Sequence, residues 1–210
     1  MFSTILWDHD GVLVDTEHIY YRATAEVLAR FGVSLSVAQY RQFHLLEARG
    51  SWHLITAHDV DVAALRRERN ERYRQMLEGA DVMVPGALDL LRRLKPRYRM
   101  AIVTSSERVH FDTIHARTGL RGLVDFVLTR ADYGECKPHP EPYLAAVARF
   151  GAAKSDCVAV EDSARGLIAA KAAGLACWTV DHEMTAGQDF TSADRRFASL
   201  AELGEALTVS

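Results

Sequence analysis

At 210 residues the chain can hold one substantial domain, or a core with an inserted lobe. Apolar residues make up 49% and charged residues 25%, which excludes a disordered polar chain. With 25 basic against 28 acidic side chains the net charge is −3, leaving no broad field for nucleic acid or an anionic membrane. No apolar run approaches the roughly 18 residues of a membrane span, and residues 1–7 lack the basic start of a secretory leader. Cys136, Cys157 and Cys177 have no metal-ligand spacing and read as free thiols of a reducing compartment, so the expected setting is cytoplasmic.

The apolar run Thr4–Trp7 stops at Asp8-His9-Asp10-Gly11, as a buried strand ending in an acidic turn does. A long helix is expected over 17–31 before Gly32, then shorter helices over 37–46 and 51–57. An Arg-rich helix over Val62–Leu77 follows, whose Arg66-Arg67-Glu68-Arg69 and Glu71-Arg72 read as a solvated face with charge pairs. No strand is expected here, so 16–80 reads as a helical lobe inserted between 1–15 and 81–210. It holds nine Arg against eight acidic residues, a sign that suits an anionic substrate.

A helix is next expected over 85–94, then a strand over 100–103 running into Thr104-Ser105-Ser106, and a helix over 107–118 before Gly119. The strand Phe126–Leu128 precedes the loop Cys136-Lys137-Pro138-His139-Pro140 and the helix Glu141–Phe150. A strand over 157–160 runs into Glu161-Asp162-Ser163, with Ser163 as N-cap of a helix over 164–173. The strand Ala176–Val180 closes the series. Apolar strands alternating with helices of about ten residues imply a doubly wound parallel α/β sheet covered on both faces.

Ligands of such sheets bind beyond the carboxyl ends of the strands. Asp8, Asp10, Thr104, Ser105, Glu161 and Asp162 all fall there, with Lys137 in a nearby loop. Crowded carboxylates need a cation, and an all-oxygen ligand set favours a hard ion such as Mg²⁺. An ion of this kind, a Lys and small hydroxyls together clamp a phosphoryl group, one carboxylate serving as nucleophile and its neighbour handling protons.

Asp8-His9-Asp10-Gly11-Val12-Leu13-Val14-Asp15-Thr16-Glu17 resembles the first motif of the haloacid dehalogenase-like superfamily. Thr104-Ser105-Ser106, Lys137-Pro138-His139-Pro140 and Glu161-Asp162-Ser163 with Gly166 resemble its second, third and fourth motifs, in order. The resemblance runs from residue 4 to about 203, and the helical lobe resembles the family's first cap type. It implies a Rossmann-like core in which Asp8 is the nucleophile that carries an aspartyl phosphate, and Asp10 the general acid and base. It further implies that Thr104 and the Ser105 backbone hold phosphoryl oxygens, with Lys137 neutralising the nucleophile. Mg²⁺ would be held by Asp8, the Asp10 carbonyl and Asp162, with Glu161 acting through water.

The Asp at position 10 argues against dehalogenation, since the family's dehalogenases do not keep it. A phosphatase of small phosphate monoesters is the leading expectation, with sugar phosphates, phosphoglycolate and nucleoside monophosphates as candidate substrates. A β-phosphoglucomutase-like isomerase is the alternative. Arg49 fits the mutases' cap Arg and is the expected substrate contact, whereas Tyr20 and Gln75 depart from their pattern. A non-catalytic phosphate-responsive module is the third reading. The expected partner is a small phosphorylated metabolite, without nucleic acid or membrane, for a monomer or weak dimer. His9 departs from the aromatic or aliphatic residue relatives carry between the two Asp, and reads either as packing or as touching the substrate or Asp10. His18, His44, Trp52, His53 and His58 are read as lobe residues that pack or face solvent, one or two of them facing substrate.

Overall fold

The computed structural model describes residues 2–57 and 59–209, so His58 lies outside the described residues. Every strand read from the sequence is present: β1 (Thr4–Trp7), β2 (Arg99–Val103), β3 (Phe126–Leu128), β4 (Cys157–Glu161) and β5 (Ala176–Val180). A sixth, β6 (Arg195–Phe197), has no counterpart in the sequence reading. All pair in parallel in the order β3-β2-β1-β4-β5-β6, the doubly wound order whose direction reverses beside β1.

The helices are α1 (Glu17–Ala29), α2 (Val37–Tyr40), α3 (Val62–Leu77), α4 (Ala87–Leu94), α5 (Arg108–His115), α6 (Glu141–Phe150), α7 (Ala164–Ala172) and α8 (Leu200–Val209). None of them is long and apolar enough to cross a membrane. The chain divides into two units, one made of Met1–Asp15 with Val82–Ser210 and the other of Thr16–Asp81.

In the first unit, the two-residue period of the strands sorts large from small side chains. Ile5, Trp7, Met100, Ile102, Val158, Val160 and Trp178 point to one face, where they pack with Leu90, Leu91 and Leu94 of α4 and Leu203 and Leu207 of α8. Leu6, Ala101, Ala159, Cys157 and Cys177 point to the other, against Tyr143 and Val147 of α6 and Leu167 and Ala170 of α7. Small strand residues there meet an Ala-rich helix, which can approach the sheet closely. The closeness is extreme at Gly166, where an added Cβ would lie 1.9 Å from the Glu161 carboxyl carbon.

In the second unit α1 packs along α3, and among the described residues the unit holds no strand. A capping box between Ser36 and Gln39 starts α2, but the helix expected over 37–46 stays α-helical only to Tyr40 and widens into a π turn, Arg41–Leu46. The helix expected over 51–57 is a single 3₁₀ turn, Trp52–Leu54, because Ile55 turns to extended backbone. One expectation is overturned: Arg69 belongs to no solvated face. It is buried on the same stripe of α3 as Leu65, Tyr73 and Leu77, with its guanidinium 4.1 Å from the Tyr20 ring centre. The spacing of four puts these side chains on one face, and an aromatic ring replaces water around the cation.

Candidate active site

The site is assembled by the ends of the central strands. Asp8 follows β1 and its backbone N–H extends the ladder to the Val160 carbonyl at 2.8 Å. Thr104 follows β2 and continues the pairing to the Leu128 carbonyl at 3.0 Å. Glu161 ends β4, with Asp162 next to it. The turn after Asp10 is tight: Gly11 has φ +83°, and a Cβ there would lie 2.2 Å from Asp162 Oδ2. A side chain at position 11 would therefore push Asp162 out of place.

Lys137 is the hub. Its Nζ donates to Asp8 Oδ1 at 2.6 Å, Glu161 Oε1 at 2.7 Å and the Val103 carbonyl at 2.8 Å, so all three ammonium protons find acceptors. The Tyr143 ring centre lies 4.9 Å from Nζ, and its hydroxyl donates to Glu161 Oε1 at 2.5 Å. Arg165 holds the Lys137 carbonyl at 2.8 Å. Burial pulls the ammonium down, but the charges of Asp8 and Glu161 outweigh it and raise Lys137 above its ordinary value. The Asp8 carboxyl is pushed up to about 7, first by burial and then by Glu161, against the pull of Lys137. One cation does not balance this many acids.

Asp10 sits on the other flank. Its Oδ2 accepts from the Ser106 hydroxyl at 2.7 Å and from Thr104 Oγ1 at 3.3 Å, and faces His9 Nδ1 at 3.3 Å. Thr104 Oγ1 accepts in turn from the Ser106 N–H at 3.0 Å, which fixes the strand-end turn. Ser105 is exposed between them. His9 is fully buried and packs on Phe111.

Asp8, Glu161 and Asp162 each offer an oxygen within 4.8 Å of the others. The donors are all carboxylates and the centre is short of positive charge, so the residues present fit a hard divalent cation. His182 Nδ1 is buried, 3.8 Å from Asp162 Oδ2, and has no hydrogen-bond partner among the described residues.

The geometry brings Asp8, Asp10, Thr104, Lys137, Glu161 and Asp162 together through these contacts. Arg49 belongs to the helical unit, where its Nε donates to Glu47 and its guanidinium lies 4.3 Å from the Phe43 ring centre. Tyr143, Ser106, Arg165 and His182 were missed in the sequence. Tyr143 extends the Lys137 segment as Pro140-Glu141-Pro142-Tyr143, and His182 follows β5 as a polar residue at a strand end, so both carried a positional signal.

The profile of the haloacid dehalogenase-like hydrolases matches residues 2–174. The protein CbbY of Cereibacter sphaeroides is 31% identical, over 97% of this chain and 95% of its own. The fructose-1-phosphate phosphatase YqaB of Escherichia coli (strain K12) is 30% identical, over 83% of this chain and 94% of its own. Among solved structures, the D10N mutant of CbbY from Rhodobacter sphaeroides in complex with xylulose-(1,5)bisphosphate superposes with a TM-score of 0.83, at 27% identity and 97% coverage of both chains.

Proposed function

Since this chain belongs to the haloacid dehalogenase-like hydrolases, we propose that it is a Mg²⁺-dependent phosphatase of small phosphate monoesters that carries the phosphoryl group on Asp8. The carrying observation is the Asp8 carboxylate 2.6 Å from the Lys137 ammonium, with a second carboxylate, Asp10, two residues away and held by hydroxyls. The Asp8 and Asp162 side chains and the Asp10 carbonyl would hold Mg²⁺, with Glu161 acting through water; the Asp8, Glu161 and Asp162 carboxylates that support this lie within 4.8 Å of one another. When bound, the ion supplies positive charge against the phosphate oxygens and the crowded carboxylates.

The remaining work is done by the chain itself. An Asp8 oxygen attacks phosphorus as the bond to the leaving oxygen breaks, and Asp10 gives that oxygen its proton. Water then attacks the phosphorus, Asp10 takes the water's proton, and phosphate leaves Asp8 free. Lys137 draws Asp8 towards the anionic form that attacks, and Thr104 Oγ1 with the Ser105 N–H holds phosphoryl oxygens. The helical unit Thr16–Asp81 is read as the family's cap. The names of YqaB and of the CbbY complex support sugar phosphates as the substrate class.

Inorganic phosphate release from sugar phosphates, phosphoglycolate and nucleoside monophosphates, with Mg²⁺ and with chelator, tests this reading. Metal-dependent release from a few of them, abolished in Asp8→Asn, is expected. Release that persists in Asp8→Asn overturns the assigned nucleophile. Conversion of β-glucose 1-phosphate to an isomer without phosphate release replaces hydrolysis by isomerisation.

A further inference from the structure

His9 and His115 are both buried, and their Nε2 atoms stand 2.7 Å apart. That separation is a hydrogen bond, so one ring donates and the other accepts. On the far side, His115 Nδ1 lies 2.8 Å from Thr118 Oγ1, which accepts the Leu120 N–H at 3.3 Å. On the near side, His9 Nδ1 faces Asp10 Oδ2 at 3.3 Å. Phe111 packs against both rings, with centres 5.0 Å from His9 and 4.5 Å from His115.

The proton arrangement follows from these contacts. Asp10 Oδ2 accepts from the Ser106 and Thr104 hydroxyls, which leaves Oδ1 as the place for an acid proton, so Oδ2 accepts from His9 as well; His9 carries its proton on Nδ1 and offers Nε2 as an acceptor. His115 must then carry its proton on Nε2 and accept at Nδ1 from the Thr118 hydroxyl. The Thr118 oxygen is closed by the Leu120 amide. Between the Leu120 amide and Asp10 each ring nitrogen is used once, all in one direction, with both rings neutral. Burial, followed by the neighbouring His9, holds His115 down at about 3, in keeping with a neutral ring.

We propose that His9, His115 and Thr118 form a buried, one-directional hydrogen-bond chain that positions the Asp10 carboxylate. Neither ring takes up a proton in this role. The chain adds a third donor to Asp10 Oδ2 beside Ser106 and Thr104, so the carboxylate is held on the flank of β2 as well as by its own turn. A hydrophobic residue at position 9 could fill the space but could not make this link. The catalytic consequence rests on the reading of Asp10 as general acid and base, whereas the chain itself does not.

Two measurements separate these. Two-bond ¹H–¹⁵N spectra of the ring nitrogens, assigned with His9→Phe and His115→Phe, should find His9 protonated on Nδ1 and His115 on Nε2. The opposite tautomers, or a mixture in the wild type, overturn the chain, and this holds whether or not turnover is found. In the phosphate-release assay, His115→Phe should lower kcat by roughly 10- to 100-fold with KM within about threefold. His115→Gln should recover much of that loss, because its amide can donate to His9 while its carbonyl accepts from Thr118. Equal kcat in the Phe and Gln variants reduces His115 to a space-filler and overturns the positioning role.

Discussion

Lys137 Nζ stands between Asp8 Oδ1 and Glu161 Oε1, at 2.6 Å and 2.7 Å, and is itself buried. One ammonium thus joins the end of β1 to the end of β4. The desolvation of these groups is offset by hydrogen bonds, the Val103 carbonyl completing the three bonds of the ammonium and the Tyr143 hydroxyl adding one to Glu161. Removing the cation leaves two buried carboxylates facing each other. Lys137→Met is therefore expected to lose turnover and to cost about 3–5 kcal/mol of stability, read from the urea midpoint. A midpoint unchanged from wild type would show that the pair adds nothing to the fold.

A methyl group at position 166 should be costly out of proportion to its size. Gly166→Ala puts Cβ into the Glu161 carboxyl, and overpacking of this kind costs roughly 1–3 kcal/mol. Gly122→Ala is the matching control, since among the described residues no heavy atom lies within 4 Å of its Cβ and its φ is unremarkable. Thermal melts should separate the two by several degrees; coincident melts would contradict the close packing of α7 on β4.

Histidine burial in the helical unit makes stability depend on pH. His44 is lowered from 6.5 to about 4, first by burial and then by the Arg69 and His53 charges. Below 6.5 the unfolded chain binds a proton that the folded one refuses, so this contribution is present above 6.5 and is lost as the pH falls toward 4. The Asp8 carboxyl, pushed up to about 7, acts with the opposite sign, so the comparison must be with a variant. Wild type should lose more stability than His44→Gln between pH 7 and pH 5 in urea titrations. Parallel profiles would show that His44 is protonated in the folded protein.

Mg²⁺ should stabilise the fold through its carboxylates. Binding to the folded chain alone adds about 2.7 kcal/mol at a hundredfold excess over Kd. Added Mg²⁺ is expected to raise the melting temperature by several degrees, and Asp162→Asn to abolish the rise. A rise of equal size in Asp162→Asn would place the ion elsewhere.

Much of the core was legible in the sequence because β1, β2, β4 and β5 are apolar runs that stop abruptly at polar residues. β6 was not, since its two arginines are exposed and only Phe197 is buried, which leaves no apolar run to find. The motif residues were legible as strand-end groups, but their partners were not. Tyr143 reaches Glu161 from α6, a contact that depends on packing across the sheet rather than on spacing. Arg69 was misread because charge density on α3 outweighed the four-residue stripe of Leu65, Arg69, Tyr73 and Leu77 in which it lies.

β1 lies between β2 and β4, so the segment that bears Asp8 is made well before either of its neighbours. Asp162, against which Gly11 must fit without a side chain, follows the whole of β4. A nascent chain that has not yet delivered the end of β4 can hold Asp8 and Asp10 but lacks the Asp162 wall that shapes their turn. The shape of the first turn is therefore settled only after β4 has been made, and a product truncated before Asp162 carries Asp8 and Asp10 on a turn that nothing confines.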